Sequence, residues 1–287
     1  MTRCFFVSDL HGSRRRYDKL LDAIRRELPD LVFIGGDLFP SGMRLLRSGD
    51  ASVDSFLEEV LHGGCSALRA ELGGEYPRIF LIPGNDDPAA LLQALQHGEG
   101  QDLWKQAHSR VFAAGAWTVA GYACVPPTPF RLKDWERYDV SRYLDPGCIA
   151  PEEGIHTVPF EEHRIIHSTI AEDLDALAEG VEMSACILLA HAPPYGGMLD
   201  RAALDGKMVD HVPLDVHVGS IAMRRFIERW QPRVTLHGHV HESTRLMGAW
   251  REQIGVTHAF NAAHDGPELA LIRFSPEDPG AAIRELL

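Results

Sequence analysis

Short apolar runs alternate with stretches of helical period along the first third of the chain. Residues 4–8 fit a buried strand that ends at Asp9. Across residues 17–28, Leu20, Leu21, Ile24 and Leu28 fall on a helical period. Pro29-Asp30 stops that helix, and residues 31–34 form a second buried strand leading to Gly35-Gly36-Asp37. Residues 39–50 are less regular, and residues 53–72 read as a helix with a break expected at Gly63-Gly64. Residues 78–82 are a third strand, turned away by Pro83-Gly84-Asn85. A helix restarts over 88–95, with Pro88 suited to its first turn.

The rest of the chain repeats this logic after an interruption. Residues 111–112 and 117–125 read as strands, whereas 126–164 scatter six prolines among charged and aromatic residues: Pro126, Pro127, Pro129, Pro146, Pro151 and Pro159. Residues 169–177 are helical, with Thr169 as cap and Glu172 three residues on. A buried strand over 185–190 feeds His191. An amphipathic helix over 221–230 precedes a strand over 233–236, and His239 and His241 follow it. Strands over 258–262 and 269–274 close the pattern, with a tight turn expected at Asp265-Gly266. The pattern predicts about eight or nine strands and about five helices.

Composition bounds the setting. With 45% apolar residues among 287, the chain can bury a sizeable core. One domain over residues 1–287 is expected, with 126–164 as an excursion from it. Lys and Arg number 28 against 41 Asp and Glu, a formal charge of −13. An acidic chain with no long basic run is poorly suited to duplex DNA or a membrane surface, so neither a stable nucleic-acid partner nor a membrane is expected. The five cysteines are scattered without CxxC spacing, and Cys4, Cys124 and Cys186 lie in apolar runs. Free thiols in a reducing compartment follow. A strand entered by residue 4 leaves no room for a signal peptide, and no apolar stretch approaches the ~20 residues that cross a bilayer. The expected location is cytoplasmic.

Candidate chemistry sits at the strand ends. Five polar stretches follow apolar runs: Asp9-Leu10-His11, Gly36-Asp37, Gly84-Asn85-Asp86-Asp87, His191, and Gly238-His239-Val240-His241. Oxygen and imidazole donors delivered this way are what a two-metal hydrolytic site requires. Asp9 and His11 are two apart, and in an extended chain such residues point the same way and can reach one ion. The same spacing relates His239 and His241. Either pair alone is weak evidence, since solvated or hydrogen-bonded residues produce it by chance; both pairs together with Asp37, Asn85 and His191 are not. Asp37 is the best bridge between two ions, having two carboxylate oxygens behind a Gly35-Gly36 that permits close approach. A mixed nitrogen and oxygen shell suits two divalent ions, Mn or Fe ahead of Zn, better than Ca or Mg. His237 has the spacing to His239 that His239 has to His241, so a shifted ligand register is an alternative on spacing alone. The remaining histidines, including His156, His163, His167 and His211, have no comparable context.

Taken in order, these motifs resemble those of the calcineurin-like metallophosphoesterases: D-x-H, G-D, G-N-H-[DE], a lone His, and G-H-x-H. The match runs from residue 9 to 241. The resemblance implies an α/β fold, a four-layer α/β/β/α sandwich of two mixed sheets flanked by helices. It implies a first ion held by Asp9, His11, Asp37 and His241, and a second held by Asp37, Asn85, His191 and His239. Gly238-His239-Val240-His241 matches the family order directly, which leaves His237 outside the ligand set.

One position departs from the family pattern. Asp86 stands where the motif has a histidine, a residue thought to stabilise the pentacoordinate phosphorus or protonate the leaving group. A carboxylate supplies no positive charge and, unless protonated, repels an anionic transition state. Asp87 matches the next, acidic position and is expected to hold the turn. A monoester with a poor leaving group needs help with departure, whereas a diester or anhydride can lean on the metals alone, and family members lacking this histidine are often phosphodiesterases or pyrophosphate-cleaving enzymes. The expectation is a dinuclear metal-dependent phosphodiesterase using a metal-bridging hydroxide on a small or nucleotide-like phosphodiester, with Asp37, Asn85, Asp86 and His191 as catalytic residues. A phosphomonoesterase, for a small molecule or a protein, is the alternative within this chemistry. A non-catalytic metal-binding scaffold is the alternative of another class; it predicts missing ligands, and none is missing.

Two segments are candidates to cover the site and select a small phosphate ester. Residues 39–47 offer Met43, Arg44 and Arg47, and the excursion offers Arg131, Lys133, Trp135, Arg137 and Tyr138. Aromatic faces with guanidinium groups suit a nucleotide, while packing onto the domain is the plainer role for Trp135 and Tyr138. Tyr195, beyond Pro193-Pro194, is a candidate for the pocket border. Arg14, Arg15 and Arg16, at a helix start, read as solvated surface rather than a phosphate clamp.

Overall fold

The computed structural model describes residues 1–41 and 56–287. Two six-stranded mixed sheets form its centre. In the first, β1 (Cys4–Val7), β2 (Leu31–Gly35), β3 (Arg78–Ile82) and β4 (Lys105–Gln106) run parallel. β13 (Ala270–Phe274) pairs antiparallel to β1, and β14 (Ile283–Leu286) antiparallel to β13, in the order β14-β13-β1-β2-β3-β4. The second sheet has the order β11-β12-β10-β7-β6-β5. Its strands are β5 (Arg110–Ala114), β6 (Trp117–Tyr122), β7 (Cys186–Ala190), β10 (Val234–His237), β11 (Arg251–Ile254) and β12 (Thr257–Asn261). A small hairpin joins β8 (Met208–Val209) to β9 (Val212–Pro213).

Strand alternation assigns the layers. In β1 to β3, Phe6, Phe33 and Phe80 face the second sheet and pack with its residues, among them Val119, Ile187 and Phe260. Their neighbours Val7, Val32 and Leu81 point the other way, onto Leu20 and Ile24 of α1 (Arg14–Glu27) and Leu68 of α2 (Gly63–Leu72). A one-residue slip would exchange these faces, so burial on both sides fixes the register. On the far side of the second sheet, Leu174 of α5 (Ile170–Ala178) and Phe226 of α6 (Ile221–Trp230) complete the outer layer. The result is the four-layer α/β/β/α sandwich.

Local chemistry sets the boundaries. Ser13 caps α1 through the Arg16 N–H, and Thr169 and Glu172 form the expected capping box on α5. The start of the 53–72 helix lies outside the described residues; a π-wound turn over Leu57–His62 gives way to α2 at Gly63, the position of the expected break. The helix expected from 88 begins later: the Asp134 carboxylate takes the Ala89 N–H at 2.8 Å, a 3-10 turn follows, and α3 spans Leu92–Gly100. Asp265-Gly266 is not a hairpin turn. β12 and β13 belong to different sheets, and the chain crosses between them there, with the rings of Phe260 and Phe274 5.6 Å apart.

The excursion is tied to the sandwich through isolated bridges at Val125–Glu136 and Tyr138–Thr169, and Leu132–Ile155 bridges it internally; α4 (Glu162–His167) lies at its end. All five cysteines are free, four of them buried. Among the described residues no helix is long and apolar enough to cross a membrane.

Candidate metal centre

Parallel strands end on the same side of a sheet, and ligands gather beyond those carboxyl ends. β1 leads to Asp9 and His11, β2 to Asp37 and β3 to Asn85. From the facing sheet, β7 leads to His191, while β10 leads to His239, His241 and the short α7 (Ser243–Met247). Asp9, Asp37, Asn85 and His191 are all buried.

Four of these residues adopt left-handed backbone: Asp9 (φ 58°), His11 (46°), Asp37 (50°) and His239 (70°). That conformation costs an L-residue about 1–2 kcal/mol. Hydrogen bonds hold the turn in place, from Asp9 N–H to Gly36 O at 3.0 Å and from His11 N–H to Asp37 O at 2.7 Å. Asp9 and His11 therefore converge through a turn, not through the extended geometry expected from their spacing. His239 and His241 diverge, also against that expectation. His241 Nε2 lies 3.1 Å from Asp9 Oδ1, whereas His239 Nδ1 lies 2.7 Å from Asn85 Oδ1.

Two donor sets result. Asp9, His11, Asp37 and His241 each place one ligand atom within 4.8 Å of the others and could hold a metal ion. Within this set His11 Nε2 faces His241 Nε2 at 3.2 Å. The second set is built on Asn85 Oδ1, which lies 3.1 Å from His191 Nε2 as well as 2.7 Å from His239. Asp37 stands between the two. Its Oδ2 is 3.6 Å from His11 Nε2, and its Oδ1 is 3.6 Å from His191 Nε2.

Both sets fit divalent cations. Facing lone pairs at these distances require positive charge between them, supplied by protons or by metal. Space is also provided: a Cβ on Gly84 would collide with Asp37 Oδ1 and sit 2.7 Å from His191 Nε2. The electrostatics agree. Burial disfavours charge on Asp37, but the His191 and His11 imidazoles outweigh it and hold the carboxyl down to about 2. Burial also works against the His11 and His191 cations, yet the surrounding carboxylates push both up to about 9. His239 goes the other way, down to about 3, through burial and the nearby His191.

The remaining expected site residues separate by role. Asp87 holds the turn: its carboxylate accepts the N–H groups of Leu38 (2.9 Å), Phe39 (2.9 Å) and Gly84 (2.8 Å). Asp86 borders the cluster. Its N–H donates to Asp37 Oδ1 at 2.9 Å, and its carboxylate lies 3.7 Å from His11 Nδ1 and 3.3 Å from the Ser41 hydroxyl. His237 spends both nitrogens on Ala192 O and the Thr235 hydroxyl, each at 2.8 Å.

The proposed cover is corrected in part. Lys133, Trp135 and Tyr138 are buried within the excursion. Lys133 pairs with Glu136, and the Tyr138 hydroxyl with Glu152. Tyr195 donates to Asp215 at 2.6 Å. Met43, Arg44 and Arg47 lie outside the described residues. Sequence reasoning missed a cavity of about 480 Å³ beside His11 and His241, part of whose wall is His264-Asp265-Gly266-Pro267. No apolar run marks that segment.

Solved structures share this architecture. One superposes at a TM-score of 0.60 and 17% identity, covering 99% of this chain and 98% of the other. TT1561 of Thermus thermophilus matches at 0.56 and 14% identity, with 99% and 98% covered. A putative 5′-nucleotidase from Staphylococcus aureus, in complex with alpha-ketoglutarate, matches at 0.51 and 14% identity; 96% of this chain covers 51% of that one. At such identities these likenesses show the fold alone. No curated protein matches the chain in sequence. The calcineurin-like phosphoesterase profile matches residues 2–243. With that span, and with its His/Asp cluster at the strand ends, the chain belongs to the calcineurin-like phosphoesterases, a family of dinuclear metal-dependent hydrolases.

Proposed function

We propose that the protein is a dinuclear metal-dependent phosphodiesterase acting on a small or nucleotide-like diester. Asp9, His11, Asp37 and His241 would hold one ion, and Asp37, Asn85, His191 and His239 the other, with Mn or Fe favoured over Zn. The carrying observation is the position of Asp37, whose two oxygens face His11 and His191 at equal distances of 3.6 Å. Two such ions lower the pKa of bound water and clamp phosphoryl oxygens during in-line displacement.

The residues do the rest. The left-handed turns aim Asp9, His11, Asp37 and His239 inward, and the Gly35 carbonyl fixes the His191 ring at 2.7 Å. Asp87 locks the loop after β3 through three backbone N–H groups, which sets Asn85 and Asp86 in place. Asp86 favours the diester. It presents a carboxylate 3.7 Å from His11 where a positive donor would aid a poor leaving group. A diester with a better leaving group needs no such donor.

The test is a rate comparison on Mn²⁺-reconstituted protein between bis-p-nitrophenyl phosphate and p-nitrophenyl phosphate, with Asp37→Asn as the blank. Asparagine tolerates the left-handed backbone at this position, so the blank keeps the turn and removes the charge. A clear preference for the diester is expected; preference for the monoester would overturn the diesterase reading.

A further inference from the structure

Three consecutive arginines follow the His11 turn, and the structure gives each a different surrounding. Arg14 Nη2 pairs with Glu59 at 2.6 Å. Arg16 is a brace: Nη1 donates to Asp9 O at 2.6 Å and Nη2 to Gly266 O at 2.5 Å. It thereby pins the Asp9 turn to the crossover between the two sheets. Arg15 is exposed, and its side chain makes neither a hydrogen bond nor an ion pair among the described residues. Its side chain borders the cavity of about 480 Å³ whose other border includes His11 and His241.

The charges around this cavity do not cancel. Asp265 on its wall is paired with Arg245 at 2.7 Å, and Glu268 lies 3.1 Å from His264 Nε2. Arg16 feels the carboxylates of Asp9 and Glu268, which answer its charge. Arg15 is thus the cation at this cavity with no acidic partner among the described residues, in a chain of net charge −13. An unpartnered guanidinium sharing a cavity with candidate metal ligands suits a planar, multi-oxygen anion.

We propose that this cavity seats a second anionic group of the substrate, a phosphate a few bonds removed from the reacting one, and that Arg15 is the residue selecting for it. The inference rests on the reading that the reacting phosphate binds at the Asp9–His241 cluster, and it narrows the substrate class to phosphate esters that carry a further phosphate. Arg15 acts on binding, and no chemical step is assigned to it.

Calorimetric binding of thymidine 5′-phosphate and thymidine 3′,5′-bisphosphate to the Mn²⁺-loaded protein separates the possibilities. The bisphosphate should bind the native chain about tenfold more tightly, the worth of one charge-assisted contact. Arg15→Ala should erase that difference while leaving monophosphate affinity unchanged, and Arg15→Lys should restore part of it. Because the Arg15 side chain is exposed and has no partner among the described residues, an unfolded variant is not expected, and a thermal melt checks this. Equal affinities in the native chain, no measurable bisphosphate binding, or parallel weakening of both ligands in Arg15→Ala would overturn the proposal. Turnover of bis-p-nitrophenyl phosphate, which lacks a second phosphate, reports separately on the diesterase reading, so either idea can fail while the other stands.

Discussion

The Nδ1 of His191 lies 2.7 Å from the carbonyl oxygen of Gly35, so its N–H is committed to the neighbouring strand end and its Nε2 is left to face Asn85 and Asp37. Backbone bonds of this kind set the tautomer and ring orientation of metal-binding histidines. Gly36, at φ 103°, makes the approach feasible, because a Cβ there would sit 2.5 Å from His191 Nδ1. His191→Gln should therefore remove the second ion and spare the first, lowering metal content from two ions to one per chain. Diesterase turnover should fall by more than about a hundredfold, the upper range for outer-shell partners. Elemental analysis of the purified variant decides it; two retained ions would refute the second ligand set.

His237 offers the matching negative control. Burial pushes its imidazole down to about 4, leaving it neutral, with one nitrogen donating to Ala192 O and the other accepting from Thr235. His237→Leu should cost about 1–3 kcal/mol through unsatisfied buried partners, read from urea unfolding, with metal content unchanged. Loss of an ion would instead support the shifted histidine register.

The contrast between His237 and His239 marks what the sequence could disclose. Ligand types and their strand-end placement were readable because β1, β2, β3 and β7 are dominated by apolar runs and β10 carries Val234 and Leu236 just ahead of the histidines. The side-chain directions were not, because left-handed turns at Asp9, His11 and His239 override the two-residue period of a strand. Edge strands escaped for a related reason: β11 and β14 are largely exposed and charged, and carry no apolar run. Arg15 and Lys133 show the limit for single residues. Both are cations near aromatic or polar neighbours in sequence, yet one borders a cavity and the other is wholly enclosed.

That enclosed lysine is a structural clamp. Lys133 Nζ donates to Glu136 Oε2 at 2.5 Å and Thr128 O at 2.8 Å, while Glu136 also accepts the Thr128 N–H and hydroxyl. Breaking a buried pair from one side strands a charge. Lys133→Met should thus destabilise by about 3–5 kcal/mol, and adding Glu136→Gln should recover much of that loss. Denaturant unfolding of the single and double variants measures the recovery. A raised KM for bis-p-nitrophenyl phosphate in the double variant, without loss of stability, would return Lys133 to the substrate contacts.

Metal binding and folding should respond to pH in opposite directions. In the metal-free protein the carboxylates outweigh burial and push His11 and His191 up to about 9, so both rings hold protons at neutral pH. An ion needs those lone pairs and must displace the protons. Affinity for Mn²⁺ should therefore rise from pH 6 to pH 8, by up to about tenfold per unit for each proton released. Asp37, held down to about 2, is already ionised across this range and adds nothing to the slope. For the metal-free fold the sign reverses. Between the unfolded histidine value of about 6.5 and the folded value of about 9, the native state binds more protons than the unfolded chain, so its stability falls as pH rises. Calorimetric Mn²⁺ titrations at pH 7 in buffers of different ionisation enthalpy should register the release of one to two protons per chain. Melts of the chelated protein should drop between pH 6.5 and 9 while those of the loaded protein hold or rise; proton-neutral binding with parallel melts would show that the two imidazoles are not where the ions bind.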